Sequence, residues 1–377
     1  MTDSLLKRTS SLSAAQPWLL SPAWDTLLIL SPAFIATAIA LLFYQQFNAS
    51  QLPLWFWVVF ILAIDVAHVY ATLFRTYFNE TAFQKQKTLF LVIPAACWII
   101  GSLFYAIDPL LFWKALAYLA IFHFIRQQYG FICLYSRKEP AQWQKYAGLD
   151  RLCIYAATVY PLLFWHTHLP RSFNWFVEGD LFEQLPQLVS DIGLVFYVLI
   201  ASAYVSKELY QLKATGYLNV PKNLIIAGTA LSWWVGIVAL NSDMAFTVTN
   251  VVTHGIPYMA LIWLYHRQSK NSFKEGILEA KSQTTPPLRR FINFALSCAP
   301  VFFITLLGLA YLEEGLWDGF IWQEHRTFFA PWSLLPSVQD RSFLALLVPL
   351  LSLPQSTHYV LDGFIWRVKD KSTQWSA

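Results

Sequence analysis

His68, His123, His254 and His358 each sit in a stretch apolar enough to cross a bilayer, and each in a different one. An ionisable imidazole at membrane depth costs free energy, so four in one chain point to an intramembrane site. The expected chemistry is metal binding, because neutral imidazole is a common metal ligand. Carboxylates accompany two of the histidines at helical spacing. Asp65 lies three residues before His68 and Asp362 four after His358, so each pair shares one helix face. Asp65 and Asp362 can ligate the same ion or orient an imidazole from behind it. Imidazole with carboxylate oxygen and open positions is what non-haem iron oxygenases use, so this donor set favours iron over zinc or copper. The competing reading is that the histidines are interhelical hydrogen-bonding residues. Asp65 and Asp362 would then only neutralise Arg75 and Arg367.

The run FHFIRQQYGF places His123, Arg126, Gln127 and Gly130 along one helical stripe. Arg126, with Gln127 and Tyr129, is expected to act on a substrate beside the metal, and Arg75 and Arg126 to hold its polar headgroup. The alternative for Arg126 is a structural ion pair with Asp65 or Asp362. Tyr258, Tyr359, Asn250 and Thr253 are weaker candidates for the same cavity. Asp25, after Ser21 and Pro22, reads as a helix-start carboxylate. His166 and His168 in WHTHLP and His325 in QEHR lie in loops without further ligands and are left outside the site. The four cysteines, Cys97, Cys133, Cys153 and Cys298, form no CxxC pair and read as small apolar side chains.

Such residues need rigid spans to position them. The 377 residues are 56% hydrophobic and only 13% charged, with a mean hydropathy of +0.45, a composition that excludes an ordinary soluble domain. Apolar runs bounded by charge, Pro or Gly predict an all-α, polytopic membrane bundle of about ten helices. They fall near 25–44, 54–76, 88–106, 109–136, 150–167, 190–212, 222–240, 244–266, 289–312 and 342–367. All 377 residues form one transmembrane domain, with a polar tail over 1–20, a basic loop over 267–288 and an aromatic interfacial segment over 313–341. Most of the 26 Lys and Arg fall at the N-terminus and after even-numbered helices, whereas the opposite loops carry only Lys114, Arg171, Arg326 and Arg341. This places both termini in the cytoplasm, as in a bacterial inner-membrane protein. The net charge of +4 is small and dispersed, which argues against a nucleic-acid partner. Neither an internal repeat nor a cleaved signal peptide is evident.

All four histidines lie on even-numbered helices, which run in the same direction. His68 and His358 stand seven and nine residues before the basic residues Arg75 and Arg367; His123 and His254 stand fourteen and thirteen before Arg137 and Arg267. At about 1.5 Å per residue these depths span roughly 10 to 21 Å, one layer in the basic half of the bundle.

Histidines on separate membrane helices give the chain a pattern that resembles the Brp/Blh family of membrane β-carotene-cleaving dioxygenases. The resemblance covers short stretches around His68, His123, His254 and His358, and it implies that these four hold one iron. The HxxxH spacing of that family has its counterpart here in His358 and Asp362. The histidine boxes of fatty-acid desaturases are absent, as are P-loop, GxSxG and Rossmann fingerprints. The sequence thus points to an iron oxygenase acting on a lipophilic substrate, carotenoid-like or acyl lipid, that enters from the membrane. A proton-coupled transporter or lipid translocator with a His/Asp/Arg relay, a b-type haem electron carrier and a structural subunit are the rivals. The electron donor is not specified by the sequence.

Overall fold

The computed structural model describes residues 16–49, 52–139, 141–183, 185–268 and 286–366. Residues 1–15 of the polar tail, 269–285 of the basic loop and 367–377 lie outside the described residues. The described chain is helical, with no strand among the described residues. In chain order the main helices are α1 (Pro22–Leu42), α2 (Leu54–Arg75), α3 (Lys87–Ile107), α4 (Pro109–Ser136), α5 (Ala147–Thr167), α6 (Gln187–Thr215), α7 (Val220–Ala239), α8 (Asp243–Gln268), α9 (Pro287–Ser297), α10 (Ala299–Trp322), α11 (Arg341–Leu351) and α12 (Leu353–Ile365).

Many of the starts are written in the sequence. Ser21, Asp108, Asn219 and Asp340 each accept a backbone N–H of the first turn, and proline follows directly in α1 and α4, where a missing N–H costs nothing. Among the described residues, eight helices are long and apolar enough to cross a membrane, or nine if the bent pair α11 and α12 is one span. The expected 150–167 helix is present as α5 but is not one of the eight; it carries Asp150, Arg151 and His166. The expected 289–312 span differs too. It breaks at Cys298, whose backbone is extended, because Pro300 begins a new helix there. α10 then continues to Trp322, so the first ten residues of the expected interfacial segment are helical. Trp332, from the remaining aromatic stretch, packs so closely over Gly315 that a Cβ there would lie 2.6 Å from its ring.

α8 occupies the centre, with 94% of its apolar window buried, while α6 is apolar yet only 11% buried. A helix that is hydrophobic on every face and left uncovered by protein is suited to lipid. Near the basic loops, α4 to α7 are tied by a buried ion cluster. Lys207 pairs with Asp150 and Glu208, and Lys222 pairs with Glu139 at 2.7 Å, Asp150 at 3.1 Å and Glu208 at 2.9 Å. Lys222 is fully buried. Two lysines that read as loop charges in the sequence are therefore part of the packing.

Candidate metal centre

α2, α4, α8 and α12 each contribute one histidine, and the four rings meet. One nitrogen from each lies within 4.8 Å of the other three, and every ring is at most 2% exposed. The Nε2 of His254 lies 3.1 Å from that of His123 and 3.1 Å from that of His68. The rings are held at steep mutual angles, 88° between His68 and His254 and 81° between His123 and His254. Phe124 lies flat against His254, with centroids 3.6 Å apart, and fixes the plane of that ring.

Local structure explains the convergence. A widened, π-helical stretch over Trp57–Val66 leads into the α-helical turn that carries His68; such turns shift the faces that follow them. Gly255, next to His254, lets α8 approach α2 so closely that a Cβ would stand 2.8 Å from Ile64 Cγ2 and 3.0 Å from its carbonyl oxygen. That same carbonyl faces His68 Nδ1 at 3.3 Å. His358 lies just past the 46° bend between α11 and α12, flanked by Pro349 and Pro354.

Three of the outward-facing nitrogens have neighbours of their own, whereas His254 Nδ1 is buried with no hydrogen-bond partner among the described residues. His358 Nδ1 is 2.6 Å from Thr72 Oγ1, which is 2.9 Å from the Tyr258 hydroxyl; Tyr258 in turn donates to Asp362 Oδ1 at 2.9 Å. Asp362 Oδ2 lies 3.5 Å from His123 Nδ1, closing a chain from one histidine to another. Asp65 Oδ1 is 3.8 Å from His68 Nδ1. Both carboxylates thus stand at the Nδ1 side of the rings, away from the point where the Nε2 atoms gather. His358 Nε2 is buried with no hydrogen-bond partner among the described residues.

Of the residues singled out on α4, Gln127 donates to the carbonyl of His254 at 2.9 Å and so braces the centre. Arg126 is exposed; it donates to the Tyr155 hydroxyl at 2.8 Å and lies over the Tyr129 ring at 5.0 Å. It forms no ion pair with Asp65 or Asp362. Arg75 lies over the rings of Tyr265 and Trp366, at 4.1 and 5.6 Å. His166, His168 and His325 are elsewhere, bonded to Tyr118, stacked on Phe164 and stacked on Trp57 respectively. Asp25 accepts backbone N–H groups of Leu19, Leu20 and Ser21, a structural anchor.

Two cavities flank the centre. The larger, about 780 Å³, is mainly apolar and runs between α4, α8 and α12; His123, Tyr258, Tyr359 and Asp362 form its inner wall. Arg126, Gln127, Tyr129 and Trp366 also line it, and Arg126 and Gly363 at its edge are exposed. The smaller, about 420 Å³, lies on the side away from the basic loops and shares Tyr359 as a wall. Sequence reasoning did not bring out Thr72 and underrated Tyr258. It also missed Glu313, which accepts from Tyr70 at 2.7 Å and from Gln355 next to the site. A scan of family models, of characterised proteins and of solved structures returns no match to this chain.

Proposed function

We propose that this chain is an integral membrane oxygenase that holds one non-haem iron ion on His68, His123, His254 and His358 and oxidises a lipophilic substrate lodged in the adjoining cavity. The observation that carries the reading is the convergence of four imidazole nitrogens beside a mainly apolar cavity of about 780 Å³. The residues fit an ion. Nitrogens bound to one metal at about 2.0–2.1 Å stand roughly 2.8–3.4 Å apart in cis-octahedral or tetrahedral arrangements, a range that holds the two 3.1 Å contacts, and the full set, within 4.8 Å, needs only a small closure around an ion. The unpartnered Nε2 of His358 also supports it, since a buried polar nitrogen without a partner is costly. Thr72 and Asp362, aided by Tyr258, would set ring orientation and basicity, a common arrangement behind metal-bound histidine.

Bound iron would supply the dioxygen chemistry that no amino-acid side chain provides. The chain's own residues do the rest. The apolar wall excludes water and accepts a hydrocarbon body, for which 780 Å³ is within the usual range of ligand pockets. Arg126 at the edge would hold a polar end, and Arg75, stacked on Trp366, would add positive charge near the basic end. Entry would be sideways from the lipid, between α4 and α12. Both termini would face the cytoplasm of a bacterial cell.

Elemental analysis of the purified protein tests this: about one iron per chain is expected, lost in His123→Ala and His358→Ala. A preparation without stoichiometric metal would reject the reading and favour the proton relay, because the 3.1 Å contacts of His123, His254 and His68 can also be a hydrogen-bonded chain. That alternative requires pH-dependent substrate movement in metal-free protein. The haem alternative fits poorly, since four nitrogens this close leave no room for a macrocycle between axial ligands. A Soret band would reinstate it.

A further inference from the structure

The smaller cavity is chemically unlike the larger one. Its acidic lining groups are Asp65 from α2, Asp243 from the start of α8 and Glu314 from α10, and no Lys, Arg or His lines it. Neither Asp243 nor Glu314 has an ion-pair partner among the described residues. The amide of Asn250, 2% exposed, also lines the cavity. Its Nδ2 donates to the carbonyl of Phe246 at 3.1 Å, while its Oδ1 has no partner. Gln355, another lining residue, likewise keeps its Oε1 unpartnered. The polar surface is thus dominated by acceptors awaiting a donor or a cation.

The remaining surface is largely aromatic. Trp113, Trp317 and Trp322 form one wall, packed on each other with centroids 5.8–6.2 Å apart. Trp175 stands in another, against Phe124 at 5.1 Å and Phe246 at 5.6 Å. Asp180 accepts the backbone N–H groups of Trp175, Phe176 and Val177, so this second wall is held in place without ligand. Indole faces attract cations most strongly when they carry little hydration, and aromatic enclosures are how proteins recognise quaternary ammonium groups. A volume of 420 Å³ has room for about fourteen waters at ~30 Å³ each, much more than a bare metal ion needs.

The geometry points to a binding site for an organic ammonium ion in this cavity, with its charge balanced by Glu314 and Asp243, its alkyl groups against the tryptophans and its donor, where it has one, on Asn250 Oδ1. The cavity adjoins the histidine centre through Asp65, Phe124 and Tyr359, but the groups assigned to the ammonium ion are not among the four histidines.

Choline chloride titrated into the full-length protein in detergent, followed by tryptophan emission against sodium chloride of equal ionic strength, tests the assignment. Saturable quenching is expected. The uncharged isostere 3,3-dimethyl-1-butanol should bind at least tenfold more weakly, since it keeps the shape and lacks the charge. Glu314→Gln and Trp322→Ala should each weaken choline at least tenfold, whereas His358→Ala should leave it within twofold. Three results overturn the proposal: no saturable response in the wild-type protein, equal affinity for the neutral isostere, or saturation by calcium chloride and not by choline. The wild-type titrations decide the matter even if a variant fails to fold.

Discussion

At the scale of single residues, the centre is governed by the groups behind the imidazoles. A neutral imidazole has one N–H and one lone pair, and a partner at Nδ1 decides which nitrogen faces inward. Thr72 contacts both His358 and Tyr258, so one hydroxyl links α2 to α8 and α12 at the cluster. Thr72→Val keeps the shape and removes the link. We expect it, and Tyr258→Phe, to weaken metal affinity about 10–100-fold, the usual range for such supporting groups. Competition with a chelator of known affinity measures this. His358→Ala should instead abolish stoichiometric binding, and equal, small effects of all three changes would mean that the histidines are packing residues. The sequence made the four clustered histidines legible because imidazole is rare inside apolar runs, and its depth count placed them in one layer. It could not show Thr72 as part of the site, because a buried threonine in a membrane helix is common and its value here depends on a partner 286 residues away.

Helices and their contacts determine whether the rings stay at metal distance. Gly255 is a point of close approach between α8 and α2, and its contact, Ile64, lies one turn from His68. Gly255→Ala must push these helices apart by a few tenths of an ångström, and Gly255→Leu by more. Metal content should fall in that order while thermal stability drops by the amount typical of overpacking, ~1–3 kcal/mol. A series in which stability falls but metal content holds would show that the centre tolerates a wider spacing than its ligands suggest. Farther away, Lys222 tests a different element of the bundle. It is fully buried and within 3.1 Å of three carboxylates, so Lys222→Met takes the cation from Glu139 and leaves Lys207 alone against Asp150 and Glu208, and should cost ~3–5 kcal/mol of unfolding free energy in detergent. The sequence reading took Lys222 as a topological charge because a lysine between two apolar runs usually is one; only the fold reveals that Glu139, Asp150 and Glu208 surround it. The break at Cys298 was hidden for a related reason. The apolar run continues through it, and hydropathy does not register that Pro300 cannot donate to the preceding turn and so favours a new helix start.

For the whole molecule, the question is why a polar centre should be set in a bundle with an apolar face on one side and an acidic, aromatic hollow on the other. The larger cavity is where a hydrocarbon would meet the histidines, and two glycines on opposite walls allow a direct test. Gly130 on α4 and Gly363 on α12 both line it, and a Cβ at either position would meet nothing within 4 Å. Phenylalanine can therefore be placed at either site with its ring in the open space and no clash at the backbone, filling much of the route between lipid and metal. If the cavity receives the substrate, Gly130→Phe and Gly363→Phe should keep their full metal complement and their stability to within ~1 kcal/mol, in line with a substitution that neither opens a void nor overpacks one. They should nevertheless lose at least tenfold in binding of a lipophilic probe and in any oxidation of it. Metal content and fold are measured separately from ligand binding, so the outcome separates a cavity that serves the centre from one that merely accompanies it. Unchanged probe binding in the double variant would place the substrate elsewhere and leave the metal centre without its proposed partner.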